Sequence, residues 1–354
     1  MKNEIIEHLS QLVKEYDGKL PDEKLKYQLK QLVSHLDDLG QGASLIESKK
    51  IFSTAKSMDN LVSELLNKYK NEKEGHYIYQ LKSGFEQLDK ITNGFGKGEV
   101  IVIGGRPGMG TTSFMIQLVS NIVEDNKSVL FYSFDLPDEQ LLTKLIACKT
   151  KIPGNKINQF KLSDKEHVKL FEAADDIAKL PIFIVGNPEI NVYDFIERCR
   201  LDLLKIKPEI IFIDSLQLIG NMGKHYDRDE ELSLLMRELK VIARSFNIPI
   251  VISSQVSRDA EMRGGSKKPI LSDLRSSGSI EEEADKVIFV YRPEYYGFGD
   301  NEGNSALGLM ELIVAKNNSG FLASAFLKYD LYFTHFTDFE ENIPISKSDW
   351  GLED

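Results

Sequence analysis

The chain has 354 residues, 42% of them hydrophobic and 28% charged, with a formal net charge of −11. This is enough apolar sequence for one large domain or two smaller ones with a sizeable core. The acidic balance excludes wholesale coating of nucleic acid, which needs a basic face, but leaves room for a local basic channel inside an assembly.

The N-terminus "MKNEIIEHLSQLVKEYDGKL" is mixed in charge and lacks the apolar block of a signal peptide. The longest apolar runs, such as "IIFI" before Asp214, have core-strand length and fall far short of a ~20-residue membrane span. A cytoplasmic protein without a membrane segment is expected. Cys148 and Cys199 lie in helix-like segments and read as reduced core thiols, not a disulfide framework. The histidines are scattered and there is no C-x-x-C pair, so no structural zinc is expected.

Residues 1–75 read as a small helical N-terminal region with a linker. "IIEHLSQLVKEY", "LKYQLKQLVSHLDDL" and "SMDNLVSELLNKYKNEKEG" place apolar residues at helical spacing, and the polar run Asn71 to Gly75 reads as the linker. From about residue 76 to 340 the texture changes to short apolar runs alternating with amphipathic segments. Strands are predicted at Val100–Gly104, Ser128–Phe134, Pro181–Val185, Glu209–Asp214, Pro249–Ser254 and Lys286–Tyr291. Helices are predicted at Thr112–Val123, Asp138–Cys148, Tyr193–Leu204 and Glu230–Phe246. In the last of these, Leu235, Leu239, Ile242 and Phe246 form a core-facing stripe. This alternation specifies an α/β fold with a mostly parallel sheet and helices on both faces. The stretch from Leu309 to Phe336 alternates as antiparallel edge strands do. Residues 341–354 read as a polar tail.

One loop stands out. Gly104 to Thr112, "GGRPGMGTT", nearly matches the phosphate-loop pattern G-x-x-x-x-G-K-[ST]. Gly105, Gly110 and Thr112 fill three fixed places, and Thr111 stands where the lysine belongs. The strand "GEVIVIGG" enters the loop and the helix "TTSFMIQLVSNIV" leaves it, which is the context a phosphate loop requires. Backbone N–H groups of Arg106, Pro107's neighbours, Gly108 and Met109 would then face a phosphate at a helix N-terminus. A plain glycine turn is the alternative. Further on, "EIIFIDSLQLI" is an apolar strand ending in Asp214, the arrangement in which a carboxylate supports magnesium. The next strand ends in Gln255, a sensor of the terminal phosphate or a simple strand-end cap.

The run from Leu81 to Phe336, about seven tenths of the chain, resembles the motor domain of DnaB-type replicative DNA helicases, a RecA-like ring ATPase. The match rests on "SGFEQLDKITNGFGKGEVIVIGGRPGMG", "IDSLQL", "RELKVIARSFNIPIVISSQVSR", "KKPILSDLRSSGSIEEEADKVIFVYRPEYY" and "AKNNSG". The resemblance implies six subunits in a ring, or association with a related helicase. It also implies ATP with Mg²⁺ between neighbours and single-stranded DNA through the centre. Residues 105–112 would cradle the phosphates, with Thr112 and Asp214 at the metal and Gln255 as sensor. Arg275, Ser276 and Gly278 would form the loop on the DNA backbone, although Ser276 replaces the family's acidic residue; the plain alternative for Arg275 is a solvated loop arginine.

Three departures from the family pattern bear on catalysis. Thr111 offers a hydrogen bond but no charge, and losing a charge-assisted contact costs about 1.5–3 kcal/mol. The acid that positions the attacking water corresponds to Asp135, one methylene short; a displacement of about 1 Å costs on the order of a hundredfold. The neighbour's K-x-R-N-G reads Lys316-Asn317-Asn318-Ser319-Gly320, so Lys316 is kept while Asn318 replaces an arginine finger worth about 10³–10⁵ in rate. These changes imply weak or lost hydrolysis. The alternatives are an active ATP-dependent helicase with a relocated cation (Lys97 or Lys316; Arg106 is no new compensation, since the family already has an arginine there), or a non-catalytic scaffold or helicase partner.

Overall fold

A computed structural model describes residues 80–186, 191–220, 228–263, 265–274, 277–297, 307–330 and 335–339. The chain divides into two units, Met1–Ile78 and Tyr79–Asp354, and every described residue belongs to the second. The expected helices of residues 1–75 and the polar tail lie outside the described residues.

In chain order the helices are α1 (Glu86–Thr92), α2 (Thr111–Glu124), α3 (Asp138–Thr150), α4 (Gly154–Asn158), α5 (Asp164–Lys179), α6 (Val192–Ile206), α7 (Arg228–Phe246), α8 (Asp259–Met262) and α9 (Ser277–Glu283). The strands are β1 (Val100–Gly105), β2 (Val129–Ser133), β3 (Ile182–Gly186), β4 (Ile210–Asp214), β5 (Ile250–Gln255), β6 (Lys286–Tyr291), β7 (Leu309–Asn317), β8 (Ser324–Asp330) and β9 (His335–Asp338). They form one sheet in the order β3-β2-β4-β5-β1-β6-β7-β8-β9. Strands β1 to β6 pair parallel, and β7, β8 and β9 add antiparallel at the edge. All six predicted core strands form, displaced by a residue at most at either end.

Alternating side chains build a core on each face. On one face Ile101, Ile103, Phe131, Phe212 and Ile288 meet Phe114, Leu118 and Ile122 of α2. On the other, the ring of Tyr132 meets Phe195 of α6 edge-on at 5.1 Å, and Leu235, Leu239 and Ile242 of α7 are buried. Phe246, the last residue of the expected stripe, is only half-buried. Cys148 and Cys199 are buried free thiols. Helix α5 was not among the predicted helices, and of its residues only Ala173 is buried. A capping signal does mark its start, with the Ser163 amide donating to Glu166 Oε2 at 2.8 Å.

β1 lies centrally, between β5 and β6. The carboxyl ends of β1, β2, β4 and β5 therefore converge at one edge of the parallel sheet, the usual ligand position in such folds.

Candidate nucleotide site

The site starts where β1 ends. Gly110 adopts φ 92°, a left-handed conformation costly for any residue with a β-carbon, and N-caps α2. Its carbonyl accepts from the Phe114 amide at 2.8 Å, and the Met109 amide donates to the Arg106 carbonyl at 3.0 Å. Gly105 is held to glycine differently: a β-carbon there would run into the Thr111 hydroxyl. From below, the buried Arg292 donates to the Gly108 carbonyl at 2.9 Å, pairs with Glu294 and stacks on the Tyr329 ring at 4.8 Å. The loop is thus shaped from two sides and opens into a cavity of about 420 Å³.

Thr112, Asp135, Asp214 and Gln255 all line this cavity. Asp214 is 3% exposed and accepts from the Ser253 hydroxyl, while its Oδ2 is buried without a hydrogen-bond partner. Burial pushes the Asp214 carboxyl up; the Ser253 and Thr112 hydroxyls oppose this, and Asp135 adds repulsion. An orphaned carboxylate oxygen beside a threonine hydroxyl is an oxygen donor set that suits Mg²⁺, a cation that needs few protein ligands and keeps its water. Among the described residues no group of three or more His, Cys, Asp or Glu side chains could hold a metal. Beside it, Gln217 donates to Ser254 Oγ at 2.9 Å and accepts from the Gln255 amide at 3.1 Å. Arg228 in turn clasps the carbonyls of Gln217 at 2.8 Å and Ile219 at 2.7 Å.

Other sequence-named residues are placed differently. The Arg106 backbone lines the cavity, but its guanidinium pairs with Glu261 at 2.9 Å and donates to the Val256 carbonyl at 2.9 Å. Lys97 precedes β1 and lines a separate cavity with Phe95 and Phe246, at the amino end of the sheet. Lys316 donates to the Glu281 carbonyl at 2.6 Å, also toward that end. The Asn318 amide bonds the Asp285 carbonyl, and the Asp285 amide bonds that of Val100, so Asn318 is level with the start of β1. At ~3.3 Å per residue, the length of β1 places Asn318 about 17 Å from the loop of its own chain. Arg275 and Ser276 lie outside the described residues, and Gly278 is exposed in α9.

Sequence reasoning missed Lys144. It lines the cavity from α3 and acts electrostatically on Asp214. Its distance of nine residues from Asp135 would have found it only if the direction of the helix were already known.

Residues 80–338 match the family model described as DnaB-like helicase C terminal domain. The chain belongs to the DnaB-like helicase family. It is 37% identical over 297 residues to a probable replicative DNA helicase of Trieres chinensis, covering 83% of this chain and 64% of that one. It is 33% identical over 306 residues to the replicative DNA helicase DnaB of Rickettsia typhi, covering 80% and 61%. A solved structure, the ATPase domain of G40P, superposes with a TM-score of 0.73 at 27% identity, covering 81% of this chain and 99% of that one. The DnaB-like chain thus spans about six tenths of the length of the curated relatives it matches. The mostly parallel sheet with helices on both faces is the RecA-like fold of these ATPase domains. Among its described residues no helix is long and apolar enough to cross a membrane.

Proposed function

We propose that this DnaB-like domain, residues 76–340, binds ATP with Mg²⁺ on residues 105–112, Thr112 and Asp214, and hydrolyses it slowly or not at all. The observation that carries this reading is the contrast inside one cavity: loop and metal carboxylate are kept while Thr111 brings no charge. Asp135 is the retained acid, one methylene short of the family's. Lys316 and Asn318, at the far end of their own sheet, act on a neighbour's nucleotide, and Asn318 supplies no cation to the transferring phosphoryl. Copies associate in a ring, as a hexamer, or join a related helicase in replication. Single-stranded DNA contacts Arg275, Ser276 and Gly278 through its backbone, with the salt dependence such contacts carry.

When bound on Thr112 and Asp214, Mg²⁺ would supply charge neutralisation at the outer phosphates. The chain's own groups do the rest: backbone amides orient the phosphates, Gln255 reads the terminal one, and Asp135 accepts a proton from water. Steady-state ATP turnover, with and without single-stranded DNA, tests this directly. A basal or stimulated rate of 1 s⁻¹ or more, on the order of ordinary enzyme turnover, overturns it. A fluorescent strand that binds at moderate salt and is released by Arg275→Ala supports the DNA contact. Lys144 favours one second reading, an active helicase with a relocated cation.

A further inference from the structure

We propose that Lys144 is the cation that grips the outer phosphates of the bound nucleotide, in the place of the absent loop lysine. This rests on the nucleotide-binding reading above and adds the residue that makes such binding strong.

The first support is position. Lys144 shares one cavity with Gly110, Thr112, Asp135, Asp214 and Gln255, the groups at the outer-phosphate end of a phosphate loop. Helix α3 is fixed in rotation because Leu141 and Leu145, either side of Lys144, are 2% and 3% exposed. Helical side chains lean toward the helix N-terminus. In α3 that terminus, Asp138, follows directly on the Asp135 turn at the end of β2. The lysine stem therefore runs back along the helix toward Asp135 and Asp214, not out to solvent.

The second support is the state of the amine. An ammonium has three donors to satisfy, yet Lys144 makes no hydrogen bond or ion pair with any described group. Four other cations near the loop or named from the sequence are occupied or remote. Arg106 is taken by Glu261, Arg292 by Glu294 and the Gly108 carbonyl, and Lys97 and Lys316 belong to the other end of the sheet. Burial pulls the Lys144 amine down and Asp214 pulls it up. A half-buried ammonium with free donors, facing a phosphate cradle that holds two carboxylates, lacks an anion of the size and charge of a triphosphate's outer end. Its reach to the loop does not depend on position 111. The Thr111 hydroxyl packs over Gly105 and leaves the outer end of the cavity to the lysine.

The test is Mg²⁺-dependent binding of ATP, ADP and AMP to the full chain, read by competition against a fluorescent ATP analogue. Lys144→Met is expected to weaken ATP by roughly ten- to a hundredfold, the range for a lost charge-assisted contact, and to leave AMP unchanged. Lys144→Arg keeps most of the ATP affinity. Adding Thr111→Lys to Lys144→Met restores it, because either cation serves the same phosphates. A Lys144→Met chain that binds ATP within twofold of the native chain overturns the proposal. So does one that loses ATP and AMP alike, which marks a structural role. A native chain that binds none of the three nucleotides overturns the nucleotide reading itself and this inference with it. Binding that survives Lys144→Met overturns only the lysine.

Discussion

The two ends of the parallel sheet solve opposite problems. At the amino end, buried charges are paired: Lys286, 1% exposed, bonds Glu99, and Lys240 bonds Asp285 and the Gly98 carbonyl at 3.3 Å. Glu99 also takes the Gly96 amide at 2.8 Å, and Asp285 the Val100 amide at 2.7 Å. At the carboxyl end, among the described residues, Asp214 keeps a buried oxygen unpartnered and Lys144 has no hydrogen-bond partner. One end is closed and supports the fold. The other holds unmet electrostatic demand, which a ligand can satisfy.

The sharpest way to break this contrast is Lys286→Met. It leaves Glu99 as an uncompensated charge, and removing one partner of a buried pair costs about 3–5 kcal/mol. Urea unfolding measures it, and a loss under about 1 kcal/mol, the range of exposed pairs, removes the distinction between the ends.

A smaller effect comes from a buried acid near the closed end. Asp89 of α1 is 3% exposed and accepts the Ser83 amide at 2.8 Å, and the Ile91 carbonyl of the same helix takes Asn317 Nδ2 at 3.0 Å. Burial raises the Asp89 carboxyl from the ordinary 3.8 to about 6, with the Ser83 hydrogen bonds opposing. The folded state therefore binds the proton more tightly than the unfolded one, and stability falls as pH rises through that window, by about 3 kcal/mol in all. Asp89→Asn flattens the pH profile of thermal unfolding between pH 3.8 and 6; an unchanged slope counts against the assignment.

The smallest expected change has the opposite sign. Asp214→Asn removes a buried carboxylate whose ionisation burial disfavours. At neutral pH it raises stability by about 1 kcal/mol, on the scale of one unsatisfied buried group, while abolishing Mg²⁺-dependent ATP binding. Calorimetry and nucleotide titration together measure this. A destabilised variant that still binds ATP with Mg²⁺ would remove Asp214 from the open end.

Most of the fold was legible because its signals are local. Each core strand is an apolar run bounded by turn residues, and the edge strands alternate with period two. The phosphate loop, Asp214 and Gln255 were legible because each sits at a strand end, and strand ends can be counted along a sequence. The pairing of the Arg106 guanidinium was not legible because its partner Glu261 is 155 residues away. Lys144 was overlooked because its direction depends on how Leu141 and Leu145 seat the helix, which is a tertiary fact. Helix α5 was passed over although its apolar positions share one face; in the fold only Ala173 of that helix is buried.

The hairpin that carries Lys316 and Asn318 is fastened at the closed end, about 17 Å, at ~3.3 Å per residue of β1, from the cavity of its own chain. From there the hairpin does not reach the nucleotide cavity of its own chain. On the function proposed above, the share of any turnover that Lys316 assists depends on a neighbouring copy, and dilution lowers that share with every molecule still folded.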